Sequence, residues 1–195
     1  MEWLDIVDEH GMPTGETVER EDAHRRGIRH RTSHVWLLRK QPGKIQVLLQ
    51  KRCANKDSFP GCYDTSSAGH IPAGESYLRS ALRELREELG VDAAEEELLY
   101  CGQRQFKFRE TFHGRAFLDR QVSNIYVLWR DTDESEFSVQ TSEIDSVIWM
   151  DWDRCVDMVK NRTAPNCIWP QELDMVHRLL LRFDDGLKTV GGEAL

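Results

Sequence analysis

The sequence lacks the features that define several classes of protein. Its five cysteines are scattered and form no CxxC pair, so neither a disulfide framework nor a cysteine-ligated zinc site is expected. No window approaches the ~18 uninterrupted apolar residues of a membrane span, and the N-terminus has no basic region followed by an apolar run. These absences favour a cytoplasmic protein with free thiols and no membrane partner.

Positive charge is also scarce. The chain has 26 Lys and Arg residues against 34 Asp and Glu residues, which gives a formal net charge of -8. A general binder of duplex nucleic acid needs a basic face, so no nucleic-acid duplex is expected as a partner. A small anionic substrate is compatible with this charge if a cation or a local basic patch receives it.

The pattern of turns and apolar residues predicts one α/β domain over residues 1–195. No repeat or low-complexity linker marks a boundary, and interspersed strands and helices without repeated βαβ units favour a sandwich on a mixed β-sheet. The main helix is predicted from about Ser76 to Leu89 with Gly90 as its C-cap, after a loop over 54–75. The other predicted elements are an N-terminal β-hairpin over about 2–20, a short helix ended by Gly27, a strand pair within 30–53, strands near 97–109, 116–129 and 145–152, and C-terminal helices over about 151–184.

Three glutamates on the main helix need an explanation. Glu84, Glu87 and Glu88 share one face, and two such charges ~4 Å apart repel by about 4 kcal/mol at an effective dielectric of 20. A solvated face with an Arg83–Glu87 ion pair is the simplest alternative, but it leaves the like-charge pair unexplained. A divalent cation such as Mg²⁺ removes the repulsion, and Gly69 in the preceding loop can add a backbone carbonyl.

This stretch resembles the Nudix box, which is a pattern of nine fixed positions over residues 69–91. The resemblance implies a Nudix-type α/β/α sandwich with an N-terminal hairpin and a C-terminal helical extension. It also implies Mg²⁺-dependent hydrolysis of a small-molecule diphosphate substrate, with Mn²⁺ as an alternative ion and a homodimer left open. The matching residues are Gly69, Glu75, Arg83, Glu84, Leu85, Glu87, Glu88, Gly90 and Val91.

The resemblance assigns roles to these residues. Glu84, Glu87 and Glu88 are the expected catalytic residues and metal ligands, joined by the backbone carbonyl of Gly69. Glu75 and Arg83 are expected to form a structural brace between loop and helix. The general base is left open between Glu84 and Glu88 within the box and three downstream carboxylates, namely Glu110, Asp119 and Glu143.

Beyond the box, the chain resembles isopentenyl-diphosphate isomerase and its nearest hydrolase relatives. The isomerase has a catalytic cysteine before its Gly-His step, whereas this chain has Ala68, which favours a hydrolase acting on a small organic or nucleoside diphosphate. A non-catalytic ligand-binding protein is the third alternative. The isomerase also binds a second metal through histidines and a Glu-x-Glu pair; the nearest matches here are His24, His30, His70, Asp119 and Gln121.

Substrate-binding residues are expected around the segment 104–115. Phe106 and Phe108 are suited to stacking on a base or a prenyl tail, and Arg109 to contacting phosphate. Arg52 and His70 are assigned to the same role. The alternative is that 104–115 is an amphipathic strand without a binding function.

Overall fold

The computed structural model describes the backbone of residues 1–190 and the side chains of residues 1–183. Nine strands and four α-helices follow one another in the order expected of an α/β protein. The elements are β1 (Trp3–Val7), β2 (Pro13–Glu19), α1 (Arg20–Arg26), β3 (His30–Gln41), β4 (Lys44–Arg52), β5 (Tyr63–Asp64), β6 (Ser67–His70), α2 (Tyr77–Leu89), β7 (Leu99–Phe112), β8 (Arg115–Trp129), β9 (Ile144–Asp151), α3 (Trp152–Asn161) and α4 (Pro170–Val190).

Seven strands form one mixed sheet between helices. Its central path is β5-β4-β3-β8-β7, with β6 paired to β3 and β9 paired to β4. The β3–β8 pair is parallel and the other pairs are antiparallel. Helix α2 packs through Leu85 and Leu89 on one face, while α3 and α4 pack on the other through residues such as Cys155 and Val176. The predicted α/β/α sandwich is confirmed.

Strand β3 positions the candidate site because it has two partners along one edge. Its C-terminal part pairs with β4, and its N-terminal part pairs with β6 from Thr32 to Val35. Strand β6 therefore fills the gap in the sheet directly before α2. The sequence predicts only a loop over 54–75, and this is wrong, since two short strands lie within it.

Two hairpins flank the sheet. Strands β1 and β2 form a separate two-stranded sheet, which confirms the predicted N-terminal hairpin. Strands β7 and β8 are joined at His113 and Gly114, whose φ angles are 49° and 73°, as in a two-residue hairpin turn. Strand β7 continues to Phe112 rather than ending near residue 109, because its cross-strand pairing extends up to this turn.

The helices follow the predicted caps. The Ser76 side chain accepts a hydrogen bond from the Arg79 backbone at 3.3 Å, and Gly90 closes α2 with a φ of 69°. Proline occupies the first position of α4, where its missing N–H has no intrahelical partner to lose. Helix α4 extends beyond the predicted end near residue 184. Within the described residues, no helix combines the length and apolar character needed to cross a membrane.

Candidate functional site

The C-terminal half of α2 places two glutamates against strand β6. The apolar stripe of α2 buries Ala81, Leu85 and Leu89 completely, and this fixes the rotation of the helix. Glu84 and Glu88, one turn apart, consequently face β6, with only 14% of the Glu84 side chain and 6% of Glu88 exposed. Burial of two like charges in one place is the main electrostatic feature of the site.

Backbone atoms of β6 contact both carboxylates. A Cβ atom placed on Gly69 would lie 2.1 Å from the Glu84 Cδ atom, so only glycine lets this carboxylate lie against the strand. The Ala68 N–H donates a hydrogen bond to Glu88 Oε2 at 3.2 Å. The β6 backbone and the two glutamates therefore form one compact group of oxygen atoms.

Both carboxyl groups have a raised pKa. Burial, followed by the charge of Glu84, raises the pKa of Glu88 to about 8. Burial also raises the pKa of Glu84, although the neighbouring Arg83 partly opposes it. A carboxyl group with a pKa near neutrality holds or releases a proton readily at physiological pH. A cation bound beside the pair would favour its ionised form.

The third glutamate lies apart from this pair. The Glu87 side chain is 53% exposed and accepts a hydrogen bond from Arg83 Nη1 at 2.8 Å. Arg83 also pairs with Glu84 at 2.8 Å and donates to the His70 carbonyl at 3.3 Å. In this arrangement Glu87 points outward from β6.

The expected Glu75–Arg83 brace is not what holds the loop. Arg83 lies next to Glu84 and one turn before Glu87, and these nearer carboxylates take its guanidinium. The loop is instead held by the N-terminal hairpin: Asp5 Oδ2 accepts hydrogen bonds from Arg31 at 2.7 Å and from the Gly74 N–H at 2.9 Å.

Arg31 completes this anchor by donating to the Glu75 carbonyl at 2.9 Å. Neither Asp5 nor Arg31 carries a local sequence signal of a contact with the loop before α2, so the sequence alone does not predict this anchor.

Three histidines meet on the opposite side of β6 from α2. Ligand atoms of His24, His30 and His70 all lie within 4.8 Å of one another. The His30 Nδ1 atom is 2.9 Å from the Ile28 carbonyl oxygen; a hydrogen bond there requires Nδ1 to carry the proton, which leaves Nε2 as a lone-pair donor. Burial lowers the pKa of His24 to about 3 and that of His30 to about 4, so the rings are neutral at physiological pH.

Asp119 joins the histidine cluster. Its Oδ1 atom lies 3.6 Å from His30 Nε2 and 3.8 Å from His24 Nε2. Among the described residues, neither Asp119 Oδ1 nor His30 Nε2 has a hydrogen-bond partner although both atoms are buried. Burial raises the pKa of Asp119 to about 7, against the effect of Arg104 and His34. Lone pairs of neutral imidazoles and a carboxylate that converge in this way suit a metal ion.

The remaining base candidates lie outside both clusters. Glu110 is exposed near the outer end of β7, where its carboxylate accepts the adjacent Thr111 N–H. Glu143 forms an ion pair with Lys56. Of the three downstream carboxylates, the structure brings only Asp119 next to other candidate residues.

The residues predicted to bind substrate fall into three positions. His70 lies in the histidine cluster. Phe106 and Phe108, both on β7, stack on each other, and their ring centroids lie 4.7 Å and 5.6 Å from the centroid of the Trp169 ring. Arg52 pairs with Asp64 at 3.2 Å.

Arg109 lies on the other face of β7 from the two phenylalanines and is exposed, because successive side chains alternate across a strand. The sequence-based prediction that Arg109 binds substrate together with Phe106 and Phe108 is therefore wrong, because Arg109 lies on the opposite face of the strand.

Burial lowers the pKa of Arg52, but the charges of Asp64 and, further away, Glu88 outweigh this effect. The Arg52 guanidinium is held in place by hydrogen bonds to Asp64 and to the Ser58 carbonyl.

Sequence comparison finds the same family along most of the chain. The sequence model of the NUDIX domain matches residues 28–168. An uncharacterized Nudix hydrolase of Clostridium acetobutylicum is 34% identical over 161 residues, which cover 83% of this chain and 75% of that protein. Nudix hydrolase 3 of Arabidopsis thaliana is 34% identical over 157 residues, which cover 78% of this chain and 19% of the plant protein.

Comparison with solved structures finds the same fold. A crystal structure of a Deinococcus radiodurans protein has a TM-score of 0.65 and 21% identity, covering 90% of this chain and 98% of that chain. The NUDIX domain of NrtR from Shewanella oneidensis, complexed with ADP ribose, has a TM-score of 0.58 and 15% identity, covering 84% and 99% respectively. At these identities the likeness concerns the fold alone.

Proposed function

The chain belongs to the Nudix hydrolase family, and on that premise we propose that it is a Mg²⁺-dependent hydrolase of a small organic or nucleoside diphosphate derivative. The proposal treats residues 1–195 as one domain. The observation that carries it is the burial of Glu84 and Glu88 against the backbone of β6, where the pKa of Glu88 is raised to about 8.

The glutamate pair fits a hard divalent cation. Mg²⁺ prefers oxygen ligands and is usually bound by one or two carboxylates together with substrate phosphates. Glu84, Glu88 and the Gly69 carbonyl supply such oxygens, and the lack of a Cβ at Gly69 keeps Glu84 within reach. Glu87, which we also assign as a ligand, reaches the same ion if its carboxylate leaves Arg83. The bound cation supplies charge neutralisation at the diphosphate and activation of water.

The protein's own groups supply positioning and proton transfer. The proposed general base is Glu88, with Glu84 as the alternative, because a bound cation would keep these carboxylates ionised and able to accept a proton from the attacking water. We assign the Arg52 guanidinium to binding a phosphate oxygen. The Asp5–Arg31 contacts hold the loop between β6 and α2 in place.

Hydrolysis fits the site better than isomerisation of isopentenyl diphosphate. Ala68, opposite His34 in the β3–β6 register, has a methyl group where the isomerase-like pattern requires a thiol, and a methyl group donates no proton. Cys62 lies outside β6, before β5. The ADP ribose bound by the Nudix domain of NrtR supports a nucleoside diphosphate derivative as the substrate class.

A substrate panel tests the proposed function. Purified protein should release products from at least one of ADP-ribose, nucleoside diphosphates, dinucleoside polyphosphates or short organic diphosphates, and only with Mg²⁺ or Mn²⁺ present. Isopentenyl diphosphate should not be converted to its five-carbon isomer. Mg²⁺-independent turnover, or undiminished turnover in both Glu87→Gln and Glu88→Gln, would contradict the metal assignment.

We also propose that His24, His30, His70 and Asp119 bind a second metal ion. Two buried atoms of this cluster, His30 Nε2 and Asp119 Oδ1, have no hydrogen-bond partner among the described residues. They converge with neutral imidazoles, which suit Zn²⁺ and other transition metals. Metal analysis after Zn²⁺ loading and desalting should find one equivalent that is lost in His30→Gln but retained in His10→Gln, where the histidine is exposed. Equal zinc content in the two variants would contradict this second site.

A further inference from the structure

The sheet face toward α4 carries buried polar side chains near the histidine cluster. Most of that face is apolar, with Trp36, Leu38 and Ile125 in the core. Toward the start of β3 and the end of β7, however, polar groups replace the apolar ones and contact one another. Thr32 donates to Ser123 at 2.7 Å, and Gln121 donates to Asp119 at 2.8 Å. A buried polar layer of this kind needs a reason beyond packing.

Glu172, in the first turn of α4, is the buried carboxylate that several side chains of this layer contact. It is 2% exposed, accepts a hydrogen bond from the Trp36 indole at 3.1 Å and forms an ion pair with Arg104 at 2.8 Å. His34 Nδ1 lies 3.0 Å from the same carboxylate. Burial raises the pKa of Glu172, but His34 and Arg104 outweigh it and lower the pKa to about 2. Glu172 is thus a permanent anion that holds Arg104 in place.

Arg104 uses only part of its hydrogen-bonding capacity on Glu172. Arg104 is 5% exposed, and its Nη2 atom makes the contact to Glu172. The Nε and Nη1 atoms are buried and, among the residues whose side chains are described, have no hydrogen-bond partner. A guanidinium carries donors only and stays charged at any physiological pH. The Nε and Nη1 donors of Arg104 are therefore buried without taking part in its ion pair with Glu172.

Aromatic rings lie between these donors and the rest of the site. The Phe106 ring is 4.7 Å from the Arg104 guanidinium carbon and 4.7 Å from the Trp169 ring. On the neighbouring strand β8, Gln121 is opposite Phe106 and Asp119 is opposite Phe108. The order along this face is therefore Arg104, the aromatic pair, then the histidine and aspartate cluster. Phe106 and Trp169 are each half-buried, so the ring that lies against the guanidinium and its aromatic neighbour are themselves partly exposed.

We propose that Arg104 determines substrate specificity by donating hydrogen bonds to an oxygen acceptor on the organic group attached to the diphosphate. This inference rests on the proposed hydrolase function and narrows its substrate class. Phe106 and Trp169 provide flat surfaces for a planar ring, and the guanidinium provides two donors at its edge. A hydrocarbon chain would leave both donors unpaired, and sites built to hydrogen-bond a substrate reject analogues that lack the bonding group.

The direct test is binding of hydrolysis-resistant analogues, which requires no turnover. The probes are α,β-methylene diphosphates of uridine and guanosine, whose bases carry carbonyl oxygens, and the same bisphosphonate bearing an isopentenyl chain. Dissociation constants are measured by calorimetry with Mg²⁺. Because Arg104→Met alone would leave Glu172 without its cation, the test variant is Arg104→Met with Glu172→Gln. Glu172→Gln alone is the matched control.

The wild type should bind at least one nucleoside analogue more tightly than the isopentenyl analogue. The double variant should lose about 10-fold or more in affinity for that nucleoside analogue, a change of about 1.4 kcal/mol, with isopentenyl binding within about 3-fold. Glu172→Gln should retain the preference. Two results for the double variant would overturn the proposed role of Arg104: an equal loss of affinity for both classes of analogue, or an unchanged preference between them. A wild type that prefers the isopentenyl analogue, or that binds no nucleoside analogue, would also overturn it. If the wild type prefers the nucleoside analogue but hydrolyses no diphosphate, the result would count against the proposed hydrolase function and not against the role of Arg104.

Discussion

Replacing Glu88 by glutamine should reduce Mg²⁺-dependent hydrolysis by at least about 10²-fold and at the same time stabilise the metal-free protein. The activity falls because an amide is a poor ligand for Mg²⁺ and does not accept the proton of the attacking water. The stability rises because folding in the absence of metal buries a carboxyl group beside Glu84. Initial rates and thermal unfolding, each with and without Mg²⁺, measure the two effects.

The stability effect has a definite pH dependence. The pKa of Glu88 rises from its ordinary 4.5 to about 8 on folding, so between these values the folded state binds more protons than the unfolded state. Metal-free wild type must then lose stability as pH rises from about 4.5 toward 8. The Tm advantage of Glu88→Gln should therefore be larger at pH 8 than at pH 5.5, by about 3 °C or more.

A matched variant separates this effect from a general change of charge. Glu96 is exposed on the short turn after α2, and Glu96→Gln removes the same charge without touching the glutamate pair. Its rate and its Tm should stay close to those of the wild type at both pH values. If Glu88→Gln behaves like Glu96→Gln, the buried carboxylate is not a metal ligand.

A single methyl group at Gly69 should be nearly as damaging to activity. The added Cβ overlaps the Glu84 carboxylate at 2.1 Å, so Gly69→Ala must displace Glu84 or strand β6. A displacement of about 1 Å in a catalytic group can cost 10²-fold in rate, and we expect a loss of that size. The φ angle of Gly69 is not in the left-handed region, so the effect comes from the overlap and not from backbone strain.

The double variant Gly69→Ala with Glu84→Ala tests that cause. Removing the Glu84 carboxylate relieves the overlap, so the Tm lost in Gly69→Ala should recover, whereas hydrolysis should not. A Gly69→Ala variant that retains full activity would mean that Glu84 need not lie against the β6 backbone.

The sequence predicts helix α2 well because the signals for that helix are local. The leucine stripe, the Ser76 and Gly90 caps and the glutamate spacing all lie within one helix, so the bounds of α2 and the face of Glu84 and Glu88 follow from periodicity. Strand β6 is different. Its four residues, Ser67–His70, have no β-branched or aromatic pattern, and pairing with β3 alone makes them a strand.

The remaining differences also come from contacts between distant segments. Arg83 has two carboxylates nearer to it in the sequence than its expected partner Glu75, and only the three-dimensional arrangement shows that these two, Glu84 and Glu87, take its guanidinium. Arg104 lies in a segment that reads as an amphipathic strand. Its partner Glu172 is in the last helix, so no local pattern connects the two.

If Glu84 and Glu88 hold the catalytic cation, anomalous diffraction from a Mn²⁺-soaked crystal will locate that cation beside them. We predict an anomalous peak about 2.1 Å from oxygens of Glu84 and Glu88 and from the Gly69 carbonyl, which is the distance expected for a small hard cation. The same crystal form of Glu88→Gln should lack that peak. A wild-type map with no peak beside these glutamates, at a Mn²⁺ concentration that supports hydrolysis, would contradict the account.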